Sequence, residues 1–164
     1  MPSYYILFHL LTGAQDSYAP TEETRVVQDL NCLKGWKFNP HSNKCILLVS
    51  ANKNLQESRA ACKALAKGND GDLASSPNKQ TQNFLKSEFE LTGLTRLGAV
   101  KIDGLWRWLD GTPWHYKQWG PSRPNGEGNS MGMMGGDAAH WNDCNEDRRT
   151  SFFCQSGKYL SIYI

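Results

Sequence analysis

Five cysteines, Cys32, Cys45, Cys62, Cys144 and Cys154, constrain this 164-residue chain more than any other feature of its sequence. An odd number leaves at least one thiol without an intrachain partner. None of the spacings is the short Cys-x-x-Cys pair of structural zinc sites, so disulfides are the better reading. Sequence does not fix their connectivity, but chain geometry suggests Cys32–Cys45 as a local hairpin staple and Cys62–Cys154 as a link closing a domain's two ends. A loop of the second size restricts the unfolded chain by about 4–5 kcal/mol in the chain-entropy model. Cys144 is then left as a free thiol, an intermolecular bridge or the partner of a lost cysteine.

The length suits one domain with a core of its own. Eighteen Lys and Arg against 16 Asp and Glu give a net charge of +2, which offers no reason to expect nucleic acid as a partner. The longest apolar run, within Tyr4–Leu11, is too short to span a bilayer. Small residues follow it at Thr12-Gly13-Ala14 and Ser17-Tyr18-Ala19, so residues 1–19 read as a secretory signal, although no Lys or Arg precedes the run. That agrees with the oxidising compartment that disulfides require, and predicts a secreted, extracellular protein. Residues 20–31 are polar and acidic and read as a linker, with the domain over 32–155 and a tail over 156–164.

Asn54 with Glu57 three residues on forms a capping box, followed by Leu55, Cys62, Leu65 and Ala66 at helical spacing. Ser76-Pro77 starts a second helix that buries Phe84, Leu85 and Phe89 and stops before Gly93. Asp103-Gly104 before Trp106-Arg107-Trp108 predicts a hairpin. Gly111 to Gly136 is too long for a connection, and Trp114, Tyr116 and Trp119 anchor its start as an ordered loop. Ser151–Cys154 closes the chain as a strand. The order of elements is that of an α+β domain.

Taken together these residues resemble the C-type lectin-like domain in its long form, over Cys32 to Cys154. The landmarks are Gly35-Trp36 between Cys32 and Cys45, Leu55 to Cys62, Gly71-Asp72-Leu73-Ala74-Ser75, Trp106 to Pro113, Tyr116 to Trp119, Pro124-Asn125, Trp141-Asn142-Asp143 and Phe153-Cys154. The resemblance implies two helices flanking short antiparallel sheets, with a long loop that carries the binding site. Two departures stand out. Where the family has a Trp-Ile-Gly-Leu-like core motif, this chain has Arg96-Leu97-Gly98-Ala99, and Arg96 suits that position only if its stem packs and its head reaches water. The family's cysteine after the long loop, partner of the one following Trp-Asn-Asp, is absent; Met131 is expected in its place, which explains the orphan Cys144.

In sugar-binding members a calcium ion in the long loop coordinates vicinal sugar hydroxyls. Calcium takes six to eight oxygen ligands at about 2.3–2.6 Å. The resemblance assigns metal and carbohydrate binding to Asn125, Asn142 and Asp143. The remaining acidic position falls on Asn129, with Glu127 or Asp137 as substitutes; Glu127 is the one retained in the set. The first position of the tripeptide is Arg123, which cannot ligate a cation, so Ca2+ binding is expected to be weak or absent. The leading expectation is a secreted lectin binding carbohydrate, with Asn125 favouring a mannose-like orientation. The alternative is a non-sugar module binding a protein, ice or mineral surface as a Cys144-linked homo- or hetero-dimer. No nucleophile–base pattern points to an enzyme.

Overall fold

The computed structural model describes residues 28–68 and 70–162. The expected signal at 1–19 lies outside them. Twelve elements follow in order: β1 (Gln28–Asn31), β2 (Lys37–Asn39), β3 (Lys44–Lys53), α1 (Leu55–Leu65), β4 (Asp72–Leu73), α2 (Lys79–Glu88), β5 (Thr95–Ile102), β6 (Leu105–Trp108), β7 (Ser130–Met133), β8 (Trp141–Cys144), β9 (Thr150–Ser156) and β10 (Tyr159–Ile162).

The α1 cap is the predicted one. Asn54 Oδ1 accepts from the Glu57 amide at 2.9 Å, while Glu57 accepts from the Asn54 amide at 3.1 Å. Cys62 and Ala66 are buried, but Leu65, expected beside them, is 41 % exposed. The second helix starts two residues later than Ser76-Pro77 suggests, because Asn78 is its cap and accepts from the Thr81 amide at 2.7 Å. Ser76 instead donates inward to Gln82 Oε1 at 2.9 Å. Leu85 is buried, with Phe84 and Phe89 packed partly exposed against the same core.

The strands form two sheets, antiparallel but for one pairing. Eight join in one branched sheet of order β2-β3-β9-β5-β7-β8, with β4 on β9 and β6 on β5; β1 and β10 pair separately. The β5–β9 pairing is parallel, with Thr95 opposite Ser151 and Arg96 opposite Phe152. Part of the expected linker and tail is therefore strand, since 28–31 pair with 159–162. The β5–β6 hairpin turns at Asp103-Gly104 as predicted; both have positive φ (50° and 79°), as a two-residue primed turn requires.

Alternation along β9 divides the interior. Phe153 enters a core with Ile46, Leu97, Trp108, Met133 and Trp141, while Phe152 enters another around Trp36, Cys62, Leu73 and Cys154. The second holds both disulfides, Cys32–Cys45 and Cys62–Cys154, with Cα–Cα distances of 5.5 and 5.2 Å. Polar contacts fix the entrance to the long loop: Asp110 accepts from Ser75 Oγ at 2.7 Å and Gln155 Nε2 at 2.8 Å. Burial opposes Asp110 ionisation, but these donors outweigh it and hold the carboxyl below its ordinary value.

Candidate functional site

The long loop is built around Trp141. Its ring lies 5.5 to 5.9 Å from those of Tyr116, Trp108, Trp114 and Trp119, and its Nε1 donates to Gln82 Oε1 at 2.9 Å. The backbone joins in, with Trp141 N donating to Gln118 O at 2.7 Å and Gly120 N to Trp141 O at 3.0 Å. Each aromatic pair contributes about 0.5–1.5 kcal/mol beyond area burial, so the loop's first half is held without regular structure of its own. Its second half contains strand β7, within the stretch read from sequence as loop.

At the tip, three of the four expected site residues meet. The buried carboxylate of Asp143 accepts backbone N–H bonds from Asn125 (3.0 Å), Gly126 (2.8 Å) and Glu127 (2.9 Å). Burial works against ionisation there, yet the three amides prevail and keep Asp143 below the usual carboxylate range. The loop can approach this closely because Gly128 has no side chain: a Cβ would fall 2.2 Å from Cys144 O.

Arg123 occupies the centre of this group. Its Nη1 donates to Asn125 Oδ1 at 3.0 Å and lies 3.0 Å from Glu127 Oε2 and 3.5 Å from Asp143 Oδ1. Asn125 Nδ2 in turn donates to Glu127 Oε1 at 3.0 Å. Hydrogen bonds from Asn125 and Arg123 lower the Glu127 pKa, and Glu127 raises that of Arg123. The donor set therefore does not fit calcium: its oxygens already serve three amides and a guanidinium, and a dication would have to displace a fixed positive charge. Among the described residues, no three His, Cys, Asp or Glu side chains are grouped to hold a metal.

Asn142 stands apart. Its side chain makes no hydrogen bond among the described residues and lines a depression of about 460 Å3 with Gly120, Arg123, Asp137 and His140. Asp137 belongs to this depression and not to the Asp143 group, and Asn129 contributes its carbonyl to Lys101 N. The sequence showed Arg123 as a non-ligand but not as the group's own cation; its pairing with Glu127 and Asp143 depends on how the loop folds.

The two sequence departures prove to be one structural unit. Ser130, not Met131, faces Cys144: the two are paired across β7 and β8, with Ser130 Oγ 3.3 Å from Cys144 Sγ. Met131 is buried in the core and pairs with Asp143. The head of Arg96 does not reach water. The residue is fully buried, donates from Nη1 to Ser130 Oγ and from Nη2 to Arg148 O at 2.5 Å, and has Nη1 3.8 Å from Cys144 Sγ. Among the described residues its Nε has no acceptor, and burial pushes the guanidinium below its ordinary value. Cys144 is free and 1 % exposed, so a bridge to a second chain would require the strands around it to part.

Residues 51–156 match the Lectin C-type domain. The chain is 31% identical over 139 residues to nattectin, a galactose-specific lectin of Thalassophryne nattereri, covering 76% of this chain and 79% of nattectin. It is 33% identical over 98 residues to a type-2 ice-structuring protein of Brachyopsis segaliensis, spanning 58% of this chain and 54% of that protein. A 29% match to the low affinity immunoglobulin epsilon Fc receptor of Mus musculus spans 36% of that receptor and 81% of this chain. Among solved structures, a calcium-independent type II antifreeze protein superposes with a TM-score of 0.67 at 25% identity, covering 84% of this chain and 100% of that one. The cow CD23 carbohydrate-recognition domain, solved in the presence of GlcNAc2Man3 oligosaccharide, gives 0.67 at 26% identity over 77% of this chain and 96% of that one.

Proposed function

Because the chain belongs to the C-type lectin domain family, a family of binding domains, we propose that it is a secreted recognition domain, not an enzyme, that binds carbohydrate through its long loop without calcium. The observation that carries this is the Arg123 guanidinium among the oxygens of Asn125, Glu127 and Asp143. It supplies the positive charge that shapes the loop tip, so the tip needs no ion. What it offers a saccharide is a set of hydrogen-bonding groups: the remaining N–H groups of Arg123, the exposed Glu127 carboxylate and the unpartnered Asn142 amide. The depression beside them has the volume of a small-ligand pocket. Secretion is supported by two disulfides, which persist in oxidising compartments.

Calorimetry tests this. Calcium alone should give no binding heat, and titration with mannose-type and galactose-type oligosaccharides should give the same heat with and without EDTA. Calcium binding tighter than millimolar, with sugar heat abolished by EDTA, would refute the reading. Arg123→Glu should gain calcium affinity by restoring a carboxylate at the first ligand position.

A second reading is binding to an ice surface, favoured by the similarity to the calcium-independent antifreeze protein over most of this chain. Sugar titrations that are silent on folded protein, together with thermal hysteresis of its solutions, would select it.

A further inference from the structure

A second cleft of about 520 Å3 opens beside the loop tip, between the β5–β6 turn and the start of the long loop. Its apolar wall is Leu105, 61 % exposed, with the half-buried rings of Trp106 and Trp119 at 5.0 Å from each other. Trp114 backs them, at 6.2 Å from Trp106. None of these three indoles donates its N–H to an acceptor among the described residues, whereas Trp141 does. Two cations, Arg107 and Lys117, stand at the cleft; neither is in an ion pair among the described residues, and no acidic side chain lines it. Clefts of this volume, aromatic with a few placed polar groups, are typical small-ligand sites.

We propose that this cleft seats a saccharide bearing carboxylate or sulfate groups. The sugar ring lies on the Trp106 and Trp119 faces, the free indole N–H groups meet its hydroxyls, and Arg107 and Lys117 pair with its anionic substituents. This rests on the reading that the domain binds carbohydrate, and adds to the loop tip a second seat and the charge of the saccharide it takes. The favoured occupant is anionic because two unpaired cations with no acidic neighbour in the lining attract negative charge and repel cationic ligands.

The test uses tryptophan fluorescence of the full chain in EDTA, titrated with a sulfated, uronic-acid-containing hexasaccharide and with its desulfated, carboxyl-reduced counterpart. The charged oligosaccharide should bind at least about tenfold more tightly, and added salt should weaken it. Trp106→Ala, and separately the surface double substitution Arg107→Glu with Lys117→Glu, should each lower its affinity by about tenfold or more, while Lys34→Glu with Lys63→Glu, the same reversal at exposed residues outside the cleft lining, changes it less than about twofold. The charge reversals alter exposed side chains only, so they report on binding even if the tryptophan variant fails to fold. Equal affinity for both oligosaccharides, or an equal loss from Lys34→Glu with Lys63→Glu, overturns this inference and leaves carbohydrate binding at the loop tip standing. Failure of both oligosaccharides to bind the unsubstituted protein overturns this inference, and failure of the mannose-type and galactose-type sugars as well overturns the carbohydrate reading with it.

Discussion

Ser130→Cys restores the partner that Cys144 lacks, and its effect depends on Arg96. The two positions are paired across β7 and β8, 14 residues apart, with side-chain tips 3.3 Å from each other, so a cystine bond of about 2.05 Å requires a closure of little more than an ångström. Closing a loop of that length is worth about 3 kcal/mol in the chain-entropy model. The gain is offset where Arg96 is present. Ser130 Oγ accepts from the guanidinium and donates to Cys144 O at 3.0 Å, and a cystine sulfur replaces neither role well. Leaving a buried charged donor short of an acceptor costs about 1–3 kcal/mol. The single variant should therefore gain only about 0–2 kcal/mol, whereas in an Arg96→Leu background the same disulfide should return about 3 kcal/mol. Arg96→Leu alone should cost about 2–4 kcal/mol, since the carbonyl of Arg148 and the hydroxyl of Ser130 lose their donor. Guanidinium unfolding of the four variants without reductant, which would also cut the two native cystines, gives the four stabilities, and a thiol count on unfolded protein verifies that one thiol has become none. A fully formed bridge with the same stabilisation in both backgrounds, within about 0.5 kcal/mol, would refute the idea that Ser130 and Cys144 hold the buried charge.

Three further outcomes follow from the geometry. Asp143→Ala should destabilise the domain by about 2–4 kcal/mol, because three amides lose a buried carboxylate acceptor; urea unfolding measures it. In the unsubstituted protein the Asp143 pKa is depressed by folding, so its contribution is present above the unfolded value near 4 and is lost as pH falls through the lower, folded value; in Asp143→Ala this part of the acid dependence should disappear. Cys144 should be silent to a thiol reagent in the folded protein and give one equivalent in denaturant, the folded protein running as a monomer on non-reducing gels; a disulfide-linked dimer would contradict its burial.

Local chemistry made parts of this fold legible. The α1 capping box and the Asp103-Gly104 turn depend on residues close in sequence, and each stands where the pattern places it; Trp114, Tyr116 and Trp119 anchor the loop as read, but on Trp141, far beyond them along the chain. Distant partners were not legible. Choosing Met131 over Ser130 is an error of one residue, and in a strand one residue reverses the face; only the pairing with β8 settles it. Arg96 gives no local sign of burial, since its acceptors come from residues 130 and 148. The parallel β5–β9 contact and the β1–β10 pair likewise join segments far apart along the chain. At the site, sequence named Asn125, Glu127 and Asp143, which do converge, and Asn142, which looks into the neighbouring depression. That Arg123 would fill the gap it creates is visible only in three dimensions.

Successive residues of β8 are each addressed by an arginine: Asp143 by Arg123, Cys144 by Arg96. Arg123 stands among oxygens that would otherwise call for a dissolved ion, and Arg96 beside a thiol that would otherwise call for a partner cysteine and an oxidant. Both supplies vary from one body fluid to the next; a side chain is delivered by translation with every copy. On this account that edge of the domain carries two fastenings of its own, while Cys32–Cys45 and Cys62–Cys154 tie the second core.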